Sequence, residues 1–309
     1  MIVFAGILGT FWFLGTGNQV TDLQSAETSF STIEFHSLYP GTHMVSDIRI
    51  EIPMHDFPDT MAVYAKQPMS EKEIVRIASD LGLNGEPTNE SGWIFIREDP
   101  YVFSSQPGGR VITYDDETSI PGFSPEYIDS HLPSDDEAKK IADEFLTMHN
   151  IEPEGMKFTG TNHIVGYHSN KDEWVKSSES INVIYRHFIA KHEIFNEKLG
   201  LEVTINKTVR TMFWKWTRYT PYKEYPIISP QEAVDTLQKT GIVVLEDIRN
   251  PEKAMVMNVT IGYLGETRSK DLDYLIPIYK IEGIVYENGR TAEFFQYLPA
   301  SPEAAAELI

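Results

Sequence analysis

Three stretches of the chain place apolar residues at helical spacing, and the same polar signal opens each one. In "SEKEIVRIASDLGLNG", Ser70 stands three residues before Glu73, and Ile74, Ile77, Ala78 and Leu81 follow along one face. In "SDDEAKKIADEFLTMHNI", Ser134 and Glu137 stand in the same relation, with Ala138, Ile141, Ala142 and Phe145 behind them. "SPQEAVDTLQKTGI" repeats the pattern with Ser229 and Glu232, and sets Pro230 at the first helical position. This is the spacing of a capping box. The serine oxygen accepts from an orphan backbone N–H and the glutamate reaches back to the cap. Gly82 and Gly241 supply C-terminal stops. The pattern predicts three helices.

After each helix the apolar period falls from about 3.6 to 2, the mark of strands. Trp93 to Arg97 and Arg110 to Tyr114 flank a Pro107-Gly108-Gly109 turn. Ser180 to Phe195, Gly200 to Ile205 and Val209 to Tyr219 follow the second helix. Met255 to Leu264 follows the third, and Asp273 to Ala300 reads as two strands folded over Asn288-Gly289. That dipeptide suits a type I′ turn, which needs positive φ at both central residues. "SDIRIEI" and "MAVYAK" add strands to the first part of the chain. Pro277 cannot donate to a central ladder, so its strand is expected at an edge.

Strands that return through short turns pair antiparallel, and one helix covers one face of a small sheet. The expected fold is therefore α+β, built of repeated units of one helix packed on a small antiparallel sheet. Breaks near Pro121 to Pro133 and near Tyr219 to Pro226 divide the chain into residues 22–130, 131–225 and 226–309, with residues 1–21 set apart.

The order helix, strands, then "GLEVTINKTVRTMFWKWTRYTPYKEYPIISPQEAV" resembles the PepSY-like domains of extracytoplasmic bacterial and archaeal proteins. The matching positions are Glu137-Ala138 and Glu232-Ala233 at the helix starts, then Leu201, Val203, Ile205 and Val209 along a strand. The likeness runs from about Ser134 to Ala300, with a weaker copy before it. It implies PepSY-like units in a non-catalytic binding or regulatory ectodomain. Such domains are found in membrane-anchored regulators and in peptidase propeptides.

The N-terminal segment bears on location. Met1 to Thr21 carries no charge, and Met1 to Leu14 is strongly apolar. Its length falls between a signal-peptide core and a full membrane span. It reads as a membrane anchor or uncleaved signal, which makes the protein extracytoplasmic, either membrane-anchored or secreted. The alternative is a buried first strand or helix. Asn-x-Ser/Thr sequons at Asn89, Asn206 and Asn258 fit an external protein.

Charge narrows the choice of partner. Acidic residues outnumber basic ones 46 to 26 over 309 residues, a formal charge of −20. A nucleic acid would be repelled across most of such a surface. The absence of cysteine removes disulfides and thiolate metal ligands.

Candidate chemistry is sparse. "GFSPE" around Ser124 lacks the second glycine of a nucleophile elbow, and no phosphate loop, dinucleotide fingerprint or H-E-x-x-H is present. The histidine and carboxylate groupings at Glu34/His36, His55/Asp56/Asp59, His163/His168 and His187/His192 do not reach three ligands at a recognised spacing. They read as solvated or hydrogen-bonded surface groups. No catalytic residue, metal or cofactor is therefore expected. The best interaction candidate is "MFWKWTRY". Trp214, Trp216 and Arg218 would share one strand face, and Lys215 and Tyr219 the other. Aromatic surface beside cations suits a protein or peptide partner, while the alternative is that one face lies in the core. An exported hydrolase is the competing reading. A hydrogen-bonded His/carboxylate cluster in a deep pocket would favour it.

Overall fold

The computed structural model describes residues 42–43, 45, 47–50, 57–118, 127, 130–170, 173–244, 248, 250–266 and 271–308. All belong to the unit Thr32–Ile309. The expected anchor at residues 1–21, together with Glu34, His36, His55, Asp56 and Ser124, lies outside the described residues. Among the described residues no helix is long and apolar enough to cross a membrane.

The chain opens with β1 (Thr42–His43), β2 (Asp47–Ile50) and β3 (Thr60–Gln67), then α1 (Glu71–Asp80). Next come β4 (Thr88–Glu90), β5 (Trp93–Glu98), β6 (Tyr101–Ser105) and β7 (Ile112–Asp116), followed by α2 (Asp135–Met148). Five strands follow: β8 (Met156–Asn170), β9 (Glu173–Ile189), β10 (His192–Val203), β11 (Val209–Lys215) and β12 (Arg218–Pro226). The last part holds α3 (Pro230–Thr240), β13 (Ile242–Val244), β14 (Lys253–Glu266), β15 (Asp271–Glu287), β16 (Arg290–Pro299) and α4 (Pro302–Leu308).

Local chemistry explains the helix starts. Ser70 Oγ accepts from Glu73 N at 3.3 Å, and Glu73 Oε2 accepts from Ser70 N at 2.8 Å, closing the box on α1. Ser229 and Glu232 do the same on α3, with Pro230 in the first turn. At α2 Ser134 caps Glu137 N, while the Glu137 carboxylate takes Lys207 Nζ at 2.7 Å. That bond pins α2 to the loop before β11. Asn288 and Gly289 have φ of 49° and 78°, the type I′ geometry that joins β15 to β16.

Eight strands form an antiparallel array in the order β4-β5-β6-β7-β11-β10-β9-β8. A second array runs β1-β13-β16-β15-β14-β2, and β2 is parallel to β14. The first residues of β15 pair β3, which carries β12 on its other side. The arrays meet where Ile194 of β10 pairs Tyr263 of β14 in parallel, so all sixteen strands are continuous.

The expectation of repeated α+β units, each one helix on a small PepSY-like sheet, is overturned. The protein is mostly β, with one large mixed sheet and four α-helices among the described residues. The reason lies in the packing. Ile74 and Ala78 of α1 share a single core with Ala138, Ala142 and Leu146 of α2. His149 Nδ1, at the end of α2, lies 2.7 Å from Asp80 O at the end of α1. Two helices thus cover the first array, because β7 pairs β11 and merges strands from both sides of α2. The third helix buries Ala233, Val234 and Leu237 against the second array.

Two smaller expectations also change. The stretch Tyr219 to Pro226, expected as a break, is part of β12. Pro277 lies in β15, a central strand rather than an edge. It is tolerated because the β16 ladder begins one residue later, at Ile278↔Pro299, while the β3 ladder stops at Leu275.

Candidate functional site

The seam between the two arrays is built by one irregular strand. β9 and β10 pair in register at Phe188↔Glu193 and again at Arg186↔Lys198, so β10 takes five steps while β9 takes two. The surplus residues bulge and turn Asn196 and Glu197 out of the ladder. Gly262 of β14 lets β10 approach. A Cβ there would stand 2.5 Å from Glu193 O and 2.7 Å from the Phe195 ring.

The bulge delivers Glu197 into a buried polar cluster. Its Oε2 lies 2.6 Å from His187 Nδ1 and accepts from Thr217 N at 3.2 Å. Its Oε1 accepts from the Tyr219 hydroxyl at 2.5 Å. The His187 ring stacks on Trp216 with centroids 4.1 Å apart and planes 12° off parallel. His187 and Glu197 are each about 5% exposed, so this is an interior network. Every acceptor of the carboxylate faces a donor, as a buried polar group requires.

Beside the cluster is a cavity of about 10 Å³, lined by Lys66, Arg110, Asn196, Glu197, Lys215, Thr217 and Gly265. That is room for one water. Asn196 Oδ1 is buried there without a hydrogen-bond partner among the described residues. Lys66, Arg110 and Thr217 also line an open cleft of about 440 Å³, completed by Ala65, Pro68, Pro107, Gly108, Asp273 and Tyr274. One wall is fixed by Met69 N, which donates to Gly108 O at 2.8 Å and holds the 107–110 turn against the end of β3. Lys66 and Arg110 line both spaces; Lys215 and Glu197 border the smaller one and Asp273 the larger. In a chain of net charge −20, three cations gathered in one neighbourhood stand out.

The residues singled out in the sequence are divided between several places. Lys215 borders the small cavity, and Trp216 and Tyr219 belong to the His187–Glu197 cluster. Trp214 is 6% exposed in the first core, with its indole Nε1 unpartnered among the described residues. Arg218 points away and pairs with Glu73 of α1 at 2.8 Å. The exposed aromatic platform is absent, since both tryptophans are buried. Sequence reasoning missed Glu197, Lys66 and Arg110, and it read His187 as a surface group, whereas the side chain is buried and bonded to Glu197. Only the bulge brings Glu197 to His187, and composition carries no trace of it. Among the described residues no group of three or more His, Asp or Glu side chains is arranged to hold a metal ion.

No family model and no curated protein matches the chain. Among solved structures, a similar chain is an uncharacterized protein from Eubacterium rectale ATCC 33656. It matches with a TM-score of 0.45 and 10% identity, over 84% of this chain and 89% of that one. A likeness of this degree carries no argument about fold or function.

Proposed function

We propose that the protein is a non-catalytic binding protein, exported or membrane-anchored, that takes an acidic segment of a protein or peptide partner in the seam cleft. The observation that carries this reading is that Lys66 and Arg110 line one open cleft of a strongly acidic chain, with Lys215 on the small cavity beside it. An acidic segment gains from those cations, while the remaining surface repels it and so limits where it docks. Tyr274 offers an aromatic wall at the mouth and Asp273 an acceptor for a backbone N–H. The reading keeps the regulatory ectodomain that the PepSY-like resemblance implies, without its architecture. Fluorescence anisotropy of the full chain with a labelled Asp/Glu-rich peptide tests it. Binding that weakens with salt and falls at least tenfold in Lys66→Glu or Arg110→Glu is expected. Unchanged affinity in both variants would remove the cleft as the site.

An exported hydrolase is the second reading, and the His187–Glu197 pair beside a cavity favours it. Its weakness is access: both side chains are interior, and the adjoining cavity admits one water. A hydrolytic activity abolished by Glu197→Gln in a folded protein would establish it.

A further inference from the structure

β10 also borders a second open cavity, of about 470 Å³. That volume suits a small molecule of monosaccharide size. Glu193 and Phe195 line this cavity, while Asn196 and Glu197 line the small cavity at the seam. Arg186 enters from β9, Lys280 from β15, and Thr161 from β8.

The lining is rich in uncommitted donors. Arg186 uses Nη1 for Glu193 Oε1 at 3.2 Å and Phe195 O at 3.4 Å. Among the described residues its Nε and Nη2 make no hydrogen bond, nor does the Thr161 hydroxyl. Lys280 spends one donor on Glu282. Each cation is already paired, Arg186 with Glu193 and Lys280 with Glu282, so what the wall offers a ligand is its open donors rather than a net charge. A guanidinium with an open fork recognises a carboxylate through paired hydrogen bonds. Tyr297 and Phe195, with centroids 5.6 Å apart, give an aromatic wall for the carbon skeleton of a ligand. Glu193 supplies an acceptor for a ligand hydroxyl or ammonium. Burial pushes the Glu193 carboxyl up, against the pull of Arg186 and Lys280, so it gains from a further donor.

We infer that this groove is a binding site for a small carboxylate-bearing molecule that also carries a hydroxyl or ammonium donor, a sugar acid or an amino acid. The carboxylate sits on Arg186 and Lys280, the donor on Glu193, a further ligand oxygen on the Thr161 hydroxyl, and the skeleton against Tyr297. This site is separate from the seam cleft and does not depend on the binding of an acidic peptide.

Calorimetric titration of the full chain tests the inference with D-glucuronate and L-glutamate as probes, and with D-glucose and sulfate as controls. Binding of either carboxylate is expected, and the one that binds identifies the class of skeleton. Lys280→Met and Thr161→Val should each weaken it, the first about tenfold and the second severalfold. Lys66→Glu should leave it unchanged, which separates this site from the cleft. Thr161→Val removes only a hydroxyl without a partner, so it keeps the test valid if Lys280→Met fails to fold. Three results would each overturn the proposal: no binding of either carboxylate, equal binding of D-glucose or sulfate, or full affinity retained in both variants.

Discussion

His187 and Glu197 stand ten residues apart in sequence, on neighbouring strands, yet Nδ1 and Oε2 lie 2.6 Å apart inside the seam. A regular hairpin would set His187 opposite residue 194, and the bulge replaces that partner with Glu197. The carboxylate then collects donors from Thr217 and Tyr219 as well. A polar network of this kind ties β9, β10 and the β11–β12 connection together.

Glu197→Ala should therefore destabilise the protein strongly. It leaves the Thr217 N–H, the Tyr219 hydroxyl and the His187 ring without their acceptor in a buried site. Unsatisfied buried groups cost about 1–3 kcal/mol each, and partial relaxation brings the expected loss to about 3 kcal/mol. Urea unfolding measures it. A change below about 0.5 kcal/mol, the scale of ordinary surface substitutions, would show that the network is not holding the seam.

Gly262 makes the complementary test from the other side of the seam. An added Cβ meets Glu193 O at 2.5 Å and the Phe195 ring at 2.7 Å, and a backbone oxygen cannot rotate away. Gly262→Ala should cost about 3 kcal/mol through overpacking. Gly289→Ala meets nothing within 4 Å but must hold φ near +78°, so it should cost only about 1 kcal/mol. Equal losses in the two variants, read by denaturant titration, would contradict the close approach of β10 and β14.

What the sequence disclosed and what it withheld divide along the range of the interactions. Serine and glutamate three residues apart announce a helix start, and Asn288-Gly289 announces a hairpin, because both act within a few residues. The merging of units into one sheet depends on pairs such as Met212↔Tyr114, about a hundred residues apart, and no local pattern encodes that choice. The same divide runs through the site. Lys215, Trp216 and Tyr219 stand out by composition in "MFWKWTRY". Glu197 within "HEIFNEKLGLEV" is one of many carboxylates until the bulge turns it inward. Lys66 and Arg110 look ordinary until two separate segments meet across the cleft.

The capping boxes also predict an acid response. Hydrogen bonds from Ser70, first its backbone N–H and then its hydroxyl, with Arg218 behind them, hold the Glu73 carboxyl at about 2 instead of 4.5. Glu232 is lowered in the same way by Ser229. A carboxylate depressed in the folded state stabilises above its unfolded value and loses that contribution as pH falls through the folded one. Stability should hold at neutral pH and decline between about pH 4.5 and 2, with the Glu73 share screened by salt at its exposed site. In Glu73→Gln the decline should be shallower. An identical urea midpoint against pH in the variant and the parent would remove Glu73 from the account.

The shared core makes a prediction about cooperativity. Residues 57–118 hold α1 and β3 to β7, and they would form a self-contained unit if α1 covered only those strands. Instead Ile74 and Ala78 pack in the same cluster as Ala138, Ala142 and Leu146, and β7 is hydrogen-bonded to β11. Removing α2 would uncover the apolar side chains around α1, and removing β11 would leave β7 with an open edge, so α1 has no independent route to stability. Native-state hydrogen exchange reads this directly. The amides of Ile74, Ala78, Ala138 and Ala142 should exchange with one opening free energy and the same dependence on denaturant. If the α1 amides opened at a lower free energy, with α2 still protected, the first helix would be a separate unit. The common core of α1 and α2 would then be a contact between units rather than the centre of one.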